Sequence, residues 1–430
     1  MLPGRRLMGA GALGIADQAL LAVANLAVGV ALAREMAPAA FGVYVVAFAI
    51  SLMGLSAQVS LVTDPMIVIG SPRGGADLAR YMAAAARIQI RLSLGLAGLI
   101  GILALGLRLA WGSTSELPAA LAGVALALPA CQAQGFVRAL FFTRLEPGAV
   151  LANDLVFSAL RVAGVGVLIM TQRLTSMTAF LVAGVAALAA VLVALPACRD
   201  LIAAAPEAAR DVWRAHWRYG RWLLATAGAY WCSGQGPAVL ASGLLTPVAA
   251  AVIKACQYLV APVNVALNGL DGVLAPRAAR IRAAGGEAPL ARYLRLVALG
   301  FGAAVVIYGL ALLPAAPILM ETIYKGRYAG YTVIVAILLV DLLFTAISRA
   351  PILRLKVAGQ TRRIFFGHLW AAILGLSSLL VLAPLYGVQG AAAAAPISSA
   401  VLLLYLTLTA KAPTTAAVAA GPAPLVAKGS

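Results

Sequence analysis

The sequence predicts an all-α polytopic membrane protein of about 12 transmembrane helices, in two six-helix lobes around a central cavity. Three observations carry that expectation. Of 430 residues, 63% are hydrophobic and only 11% charged, with a mean hydropathy of +0.99, whereas a soluble domain holds about 25% charged residues. Twelve segments are apolar over the roughly 20 residues that a helix needs to cross a bilayer core. Lysine and arginine gather in alternate connections, the positive-inside pattern of a multi-pass chain.

In order, the first lobe (1–197) has segments at Gly11–Ala33, Phe41–Val62, Ile90–Trp111, Leu117–Leu140, Ala149–Met170 and Thr178–Ala197. The second (222–411) has Trp222–Leu245, Val248–Ala275, Leu294–Ala316, Tyr331–Leu353, Phe365–Leu385 and Val388–Leu408. Short turns such as 37–42 (APAAFG) and 245–247 (LTP) join partners into hairpins. The tail, 412–430, is rich in Ala, Pro and Thr and is expected to be disordered.

Between the lobes, 198–221 is the longest polar interruption. Arg210, Arg214, Arg218 and Arg221 recur on one helix face beside Trp213 and Trp217. Snorkelling guanidiniums and indole rings both suit the headgroup layer, so this connector is expected on the cytoplasmic membrane surface.

Basic residues at 5–6, 73–91, 138–144, 277–295, 349–363 and 411–428 fall on one side with that connector. Arg34, Arg108, Arg173, Lys325 and Arg327 fall on the other. Both termini are therefore expected in the cytoplasm. The net charge of +18 is distributed as a topology signal, which excludes nucleic-acid binding. Cys131, Cys198, Cys232 and Cys256 lack any CxxC spacing, and His216 and His368 lack a partner cluster, so no disulfide frame, metal or cofactor is expected. The apolar stretch after MLPGRRLMGAG is read as a retained helix because no small-residue cleavage site precedes a soluble domain.

Polar groups inside spanning helices are costly and normally face a bundle interior or an aqueous cavity. In the eighth segment Lys254, Gln257, Asn264, Asn268 and Asp271 form one continuous stripe, with Pro262 midway. Asp154, Ser158 and Arg161 share a face in the fifth segment, as do Asp341, Thr345 and Arg349 in the tenth. The first adds Asp17 and Asn25. These stripes are expected to line the cavity, with interhelical hydrogen bonding as the plainer alternative. Arg161 and Lys254 would offer an anionic ligand a resting point; alternatively, Arg161 pairs structurally with Asp341. Asp17, Asp154 and Asp341 are candidates for binding H⁺ or Na⁺ and coupling transport to an ion gradient.

Several stretches resemble a known family. ALAREMAPAAFGVYVVAFAI (31–50) resembles the first hairpin of polysaccharide exporters and lipid-linked oligosaccharide flippases. HWRYGRWLL (216–224) resembles the start of their seventh helix, residues 241–280 their helix 7–8 region ending in Pro-Arg, and 385–401 the Gly-x-x-Gly-Ala start of their last helix. These proteins form the polysaccharide-exporter branch of the multidrug/oligosaccharidyl-lipid/polysaccharide flippase superfamily. The resemblance implies alternating access around a central cavity. It implies a polyprenyl-diphosphate-linked oligosaccharide or polysaccharide precursor as cargo, moved outward across a bacterial inner membrane. It also implies membrane lipids and glycan polymerases or glycosyltransferases as partners. Lys254 matches a basic position in helix 8 where arginine is more usual, and lysine lacks the bidentate fork. The alternative within the superfamily is a cation-coupled multidrug or organic-cation antiporter. A membrane-embedded glycan polymerase or ligase is the remaining reading. The outer loops are only a few residues long and hold no Ser/His/Asp set, so the chain is expected not to be an enzyme.

Overall fold

A computed structural model describes residues 3–112 and 115–411; within them, the side chains of 3–12, 15, 202, 269, 271–273, 275, 276, 361 and 411 lie outside the described set. The 412–430 tail and the Asp271 side chain therefore lie outside the described residues. Every regular element among the described residues is a helix. The first six-helix half comprises α1 (Pro3–Glu35), α2 (Pro38–Gly70), α3 (Gly75–Trp111), α4 (Leu117–Thr143), α5 (Pro147–Met170) and α6 (Ser176–Ala194). The second comprises α7 (Ala209–Gly234), α8 (Gly236–Leu244), α9 (Pro247–Gly285), α10 (Glu287–Tyr324), α11 (Thr332–Val357) and α12 (Thr361–Lys411).

Ten helices are long and apolar enough to cross a membrane among the described residues, and the difference from 12 has two sources. The α12 span is a hairpin: Gly387 reverses the chain at φ +58°, a left-handed conformation open to glycine. Its arms then meet antiparallel, with Gly375 against Ser398 and the Ser398 hydroxyl donating 2.9 Å to the Ala371 carbonyl. The seventh segment, expected as one helix over Trp222–Leu245, breaks at Gln235 into α7 and α8. Neither piece reaches the apolar length of a full span, yet together they traverse the bundle.

Helices also run further at the arginine-rich end than the hydropathy suggests. α3 starts at Gly75 and not near Ile90, and α9 continues to Gly285. Arg80, Arg87, Arg277 and Arg280 are thus helical residues and not loop charges. The solvent face is inverted relative to a soluble protein: Leu99, Ile102 and Leu109 on α3 are 64, 71 and 78% exposed, as lipid-facing residues should be.

The two halves meet at the arginine-poor end. Pro38 and Pro247 each open a helix in its first turn, where a missing N–H costs nothing. α2 and α9 then pack so closely that a Cβ on Gly42 would stand 1.8 Å from the Pro247 carbonyl oxygen. Ala249, Ala250, Ala251 and Ala255 are fully buried along α9, small residues that let backbones approach. Over this seam lies a set of polar bridges. Lys325 Nζ sits 2.7 Å from Glu35 Oε2. Arg34 donates to the Thr322 and Ile323 carbonyls at 3.0 and 3.1 Å, and Arg327 donates to the Met36 carbonyl. Three of the five basic residues on the arginine-poor side are thus spent joining α1 to the α10–α11 turn.

At the opposite end α7 ties the halves together differently. Residues 204–208 are non-helical, and Glu207 pairs with Arg73 at 2.5 Å. From Ala209 the helix runs unbroken through the connector and on into the bundle. Val212, His216 and Gly220 are buried on its inner face, while Arg210, Arg214, Arg218 and Arg221 are exposed. The inner face docks on a π-turn of α2, Val59–Thr63. His216 Nδ1 lies 3.1 Å from the Leu61 carbonyl and Nε2 lies 2.8 Å from the Tyr81 hydroxyl, so both ring nitrogens are occupied. His216 thus meets a carbonyl of the π-turn itself. Burial pushes its pKa down to about 4, so the ring is neutral.

Candidate functional site

Two cavities open inside the bundle, one in each half. The first, about 480 Å³, lies among α1, α2, α4, α5 and α6; the second, about 750 Å³, lies among α7, α9, α11 and α12. Val59 and Asp64 of α2 line both. The π-turn thus places Asp64 where the cavities adjoin.

In the first cavity Arg161 projects from α5, and its Nη1 donates to Asn25 Oδ1 of α1 at 2.6 Å. The amide orients the guanidinium without neutralising it. No carboxylate among the described residues stands within ion-pair distance of Arg161, and Asp341 lines the other cavity, so these two form no pair. Deeper toward the arginine-rich end Arg138 of α4 joins two carboxylates. Its Nη2 lies 2.5 Å from Asp17 Oδ2 and its Nε 2.7 Å from Asp154 Oδ2. Both carboxylates are almost fully buried, at 1 and 0% exposure. Gln134 donates to Asp154 at 2.6 Å and to Asn153 at 3.1 Å, whereas Asp17 Oδ1 is buried without a hydrogen bond. One guanidinium balances only one carboxylate. The cluster therefore carries a surplus negative charge that a proton or small cation would neutralise.

The second cavity receives the α9 stripe. Gln257, Asn264 and Asn268 line it, together with Asp341, Thr345 and Arg349 from α11. Arg349 Nη2 donates to Asn264 Oδ1 at 3.1 Å and to Asn268 Oδ1 at 2.6 Å. Tyr230 of α7 and His368 of α12 meet edge-to-face across the same space, with centroids 5.6 Å apart.

Lys254 lies outside both linings, contrary to the cavity position expected for it. It shares the α9 face of Tyr258, four residues on, and that face turns toward α1, where Gly29 makes room for the Tyr258 ring. There its Nζ is 3.3 Å from Gln257 Oε1 and 5.6 Å from the Tyr258 ring centre. Asp17 also lines neither cavity, being covered by Arg138. The spacing that singled out Asp17 and Asp154 missed Arg138, which reads as a loop charge near the end of its segment. The Cys131–Gln134–Arg138 periodicity on α4 was the available signal.

A separate polar seam links α2, α3 and α4. Gln58 donates to the Gln132 carbonyl at 2.5 Å, and Gln132 donates to the Gly54 carbonyl at 2.9 Å and accepts from Ser93 at 2.7 Å. These groups satisfy one another and serve packing. Among the described residues no group of three His, Cys, Asp or Glu side chains is placed to hold a metal ion.

No protein-family model matches the chain, and neither does any curated protein sequence. Solved structures do. An inward-facing multidrug resistance MATE family transporter of the MOP superfamily is similar with a TM-score of 0.77, at 13% identity over 91% of this chain and 93% of that one. The lipid II flippase MurJ, in an inward closed conformation, is similar with a TM-score of 0.72, at 10% identity over 95% of this chain and 87% of that one. The eukaryotic MATE transporter AtDTX14 gives 0.67 at 15% identity, over 94% of this chain and 95% of that one. At such identities the likeness shows a shared fold: the chain is a multi-pass helical membrane protein with the architecture of these transporters.

Proposed function

We propose that this protein is a flippase that moves a polyprenyl-diphosphate-linked oligosaccharide or polysaccharide precursor across a bacterial inner membrane by alternating access. The observation that carries the reading is Arg161, a cavity-lining guanidinium whose partner is an amide and which therefore keeps its positive charge. Lys254 lies outside the lining but adds a second cation on neutral partners, the Gln257 amide and the Tyr258 ring. An organic cation would be repelled there, whereas a diphosphate is attracted and can be gripped by the arginine fork. A polyprenyl tail needs no protein passage, because it can stay in lipid while the polar head crosses. The closed seam at the arginine-poor end fits a cavity that faces the cytoplasm, with both termini on that side.

The Asp17–Arg138–Asp154 cluster is assigned to ion coupling, its surplus charge being met by H⁺ or Na⁺. Asp341 is a second candidate in the other half. The same cluster favours a second reading, a cation-coupled drug antiporter, since it would also suit exchange of an ion for an organic cation.

Deletion of the gene tests these readings. Loss of surface glycan with accumulation of lipid-linked precursor inside supports the flippase. Unchanged glycan with new sensitivity to cationic dyes overturns it in favour of the antiporter. In the complemented strain, Arg161→Ala and Lys254→Ala should each cut surface glycan at least tenfold at equal protein level. Wild-type glycan in both would remove these two cations from the account.

A further inference from the structure

We infer that the second cavity is the sugar site, separate from the charged site around Arg161; this rests on the flippase reading. The two cavities differ in what their neutral polar groups are doing. In the first, Gln134 serves Asp154 and Asn153 and Gln58 serves a backbone carbonyl, which leaves a single amide, Asn25, whose oxygen accepts from Arg161. In the second, Asn264 and Asn268 give up only their oxygens, both to Arg349. Their NH₂ groups have no protein partner among the described residues.

Arg349 thus orients two amides one helical turn apart, on one face of α9 with their Cβ atoms roughly 5–6 Å from each other. Paired donors at that interval suit the hydroxyl and carbonyl oxygens of a pyranose, which presents acceptors around its rim and no net charge. Sugars also present a flat C–H face, and Tyr230 provides a surface for it. The residue is 64% exposed and lines the cavity, its ring steadied edge-on by His368. An exposed tyrosine ring that costs little ordering is well suited to that contact. A volume of about 750 Å³ lies within the roughly 300–1,000 Å³ of cavities that enclose a drug-sized ligand, room for a short oligosaccharide. The resulting arrangement is bipartite: diphosphate at Arg161 in one half, glycan between α7, α9 and α11 in the other, and the joint near Asp64 between them.

Two cysteines report the two cavities. Cys131 lines the first, and a Thr345→Cys variant, with the other native cysteines replaced by alanine, reports the second. Purified full-length protein is labelled with a water-soluble maleimide in the presence of lipid-linked oligosaccharide extracted from the native host. Parallel samples receive the two products of mild acid cleavage of that extract, free oligosaccharide and polyprenyl phosphates. The intact lipid should slow labelling at both cysteines about tenfold. Free oligosaccharide should slow only Thr345→Cys, and polyprenyl phosphates only Cys131. Tyr230→Ala and Asn268→Leu should abolish protection at Thr345→Cys while Cys131 remains protected. Protection of Thr345→Cys by polyprenyl phosphates, or of Cys131 alone by every probe, would overturn the sugar assignment and leave the flippase reading standing. Protection of neither cysteine by any of these probes, with protection by a cationic dye, would overturn both.

Discussion

Opening the seam at the arginine-poor end should convert this protein to a state exposed to the opposite side of the membrane, and the cost can be worked from the bridges that close it. The perturbation is the triple variant Arg34→Ala/Lys325→Ala/Arg327→Ala. The Glu35–Lys325 pair is partly exposed, at 26 and 47%, so it contributes only ~0.2–1 kcal/mol. The carbonyl bonds from Arg34 and Arg327 contribute on the order of 1 kcal/mol each at such a surface. Together they favour the closed seam by about 3 kcal/mol, or on the order of 100-fold in population, since 1.4 kcal/mol is tenfold. Removing three positive charges from the arginine-poor end increases the charge asymmetry between the two ends, so insertion should be unaffected. The assay is labelling of Cys131, as sole cysteine, by an impermeant maleimide in right-side-out vesicles. The triple variant should label tens of times faster than its parent. Gly42→Ala, whose Cβ would collide with the Pro247 carbonyl, should accelerate labelling independently. Unchanged rates in both variants at equal protein level would refute the assignment of this seam as the closure of the arginine-poor end.

Further outcomes follow from the α7 dock. His216 is buried as a neutral ring, and burial lowers its pKa from 6.5 to about 4. Its contribution is therefore fully present above pH 6.5 and is lost as pH falls toward 4, a loss of about 3 kcal/mol at 1.36 kcal/mol per pKa unit. Thermal unfolding of the purified protein should show a step between pH 6.5 and 4 that His216→Gln flattens. A Cβ on Gly220 would stand 2.2 Å from the Ser60 carbonyl oxygen, so Gly220→Ala should lower stability by about 1–3 kcal/mol, measured as a fall in Tm. An unshifted Tm would mean that α7 does not rest on the π-turn.

Hydropathy made the all-helical, multi-pass class readable, because lipid imposes an apolar length on each span. Spacing also found the α9 stripe, whose Gln257, Asn264 and Asn268 do share a cavity wall. Depth and partners were not readable. Arg138 sits near the end of an apolar segment and reads as a loop charge, yet its long stem carries the guanidinium back to two buried carboxylates. Lys254 has the right period but the wrong face, because Gly29 lets α9 turn that edge toward α1. The π-turn at Val59–Thr63 leaves no mark in composition at all, and with it the placement of Asp64 was invisible. Nor did any residue pattern reveal that the expected seventh helix is two pieces separated at Gln235.

The unbroken course of α7 also decides where this polypeptide could be cut in two. Hydropathy alone would divide the gene anywhere between 198 and 221. A break within 209–221 would sever a continuous helix and separate the His216 dock from Tyr230, so the resulting halves should not reassemble. A break at 204–208 falls in the only non-helical part of that stretch and leaves α7 whole on the second fragment. Two genes divided there encode fragments that can find each other through the α2 π-turn and the α2–α9 seam, making this protein a natural subject for expression as a co-assembled pair.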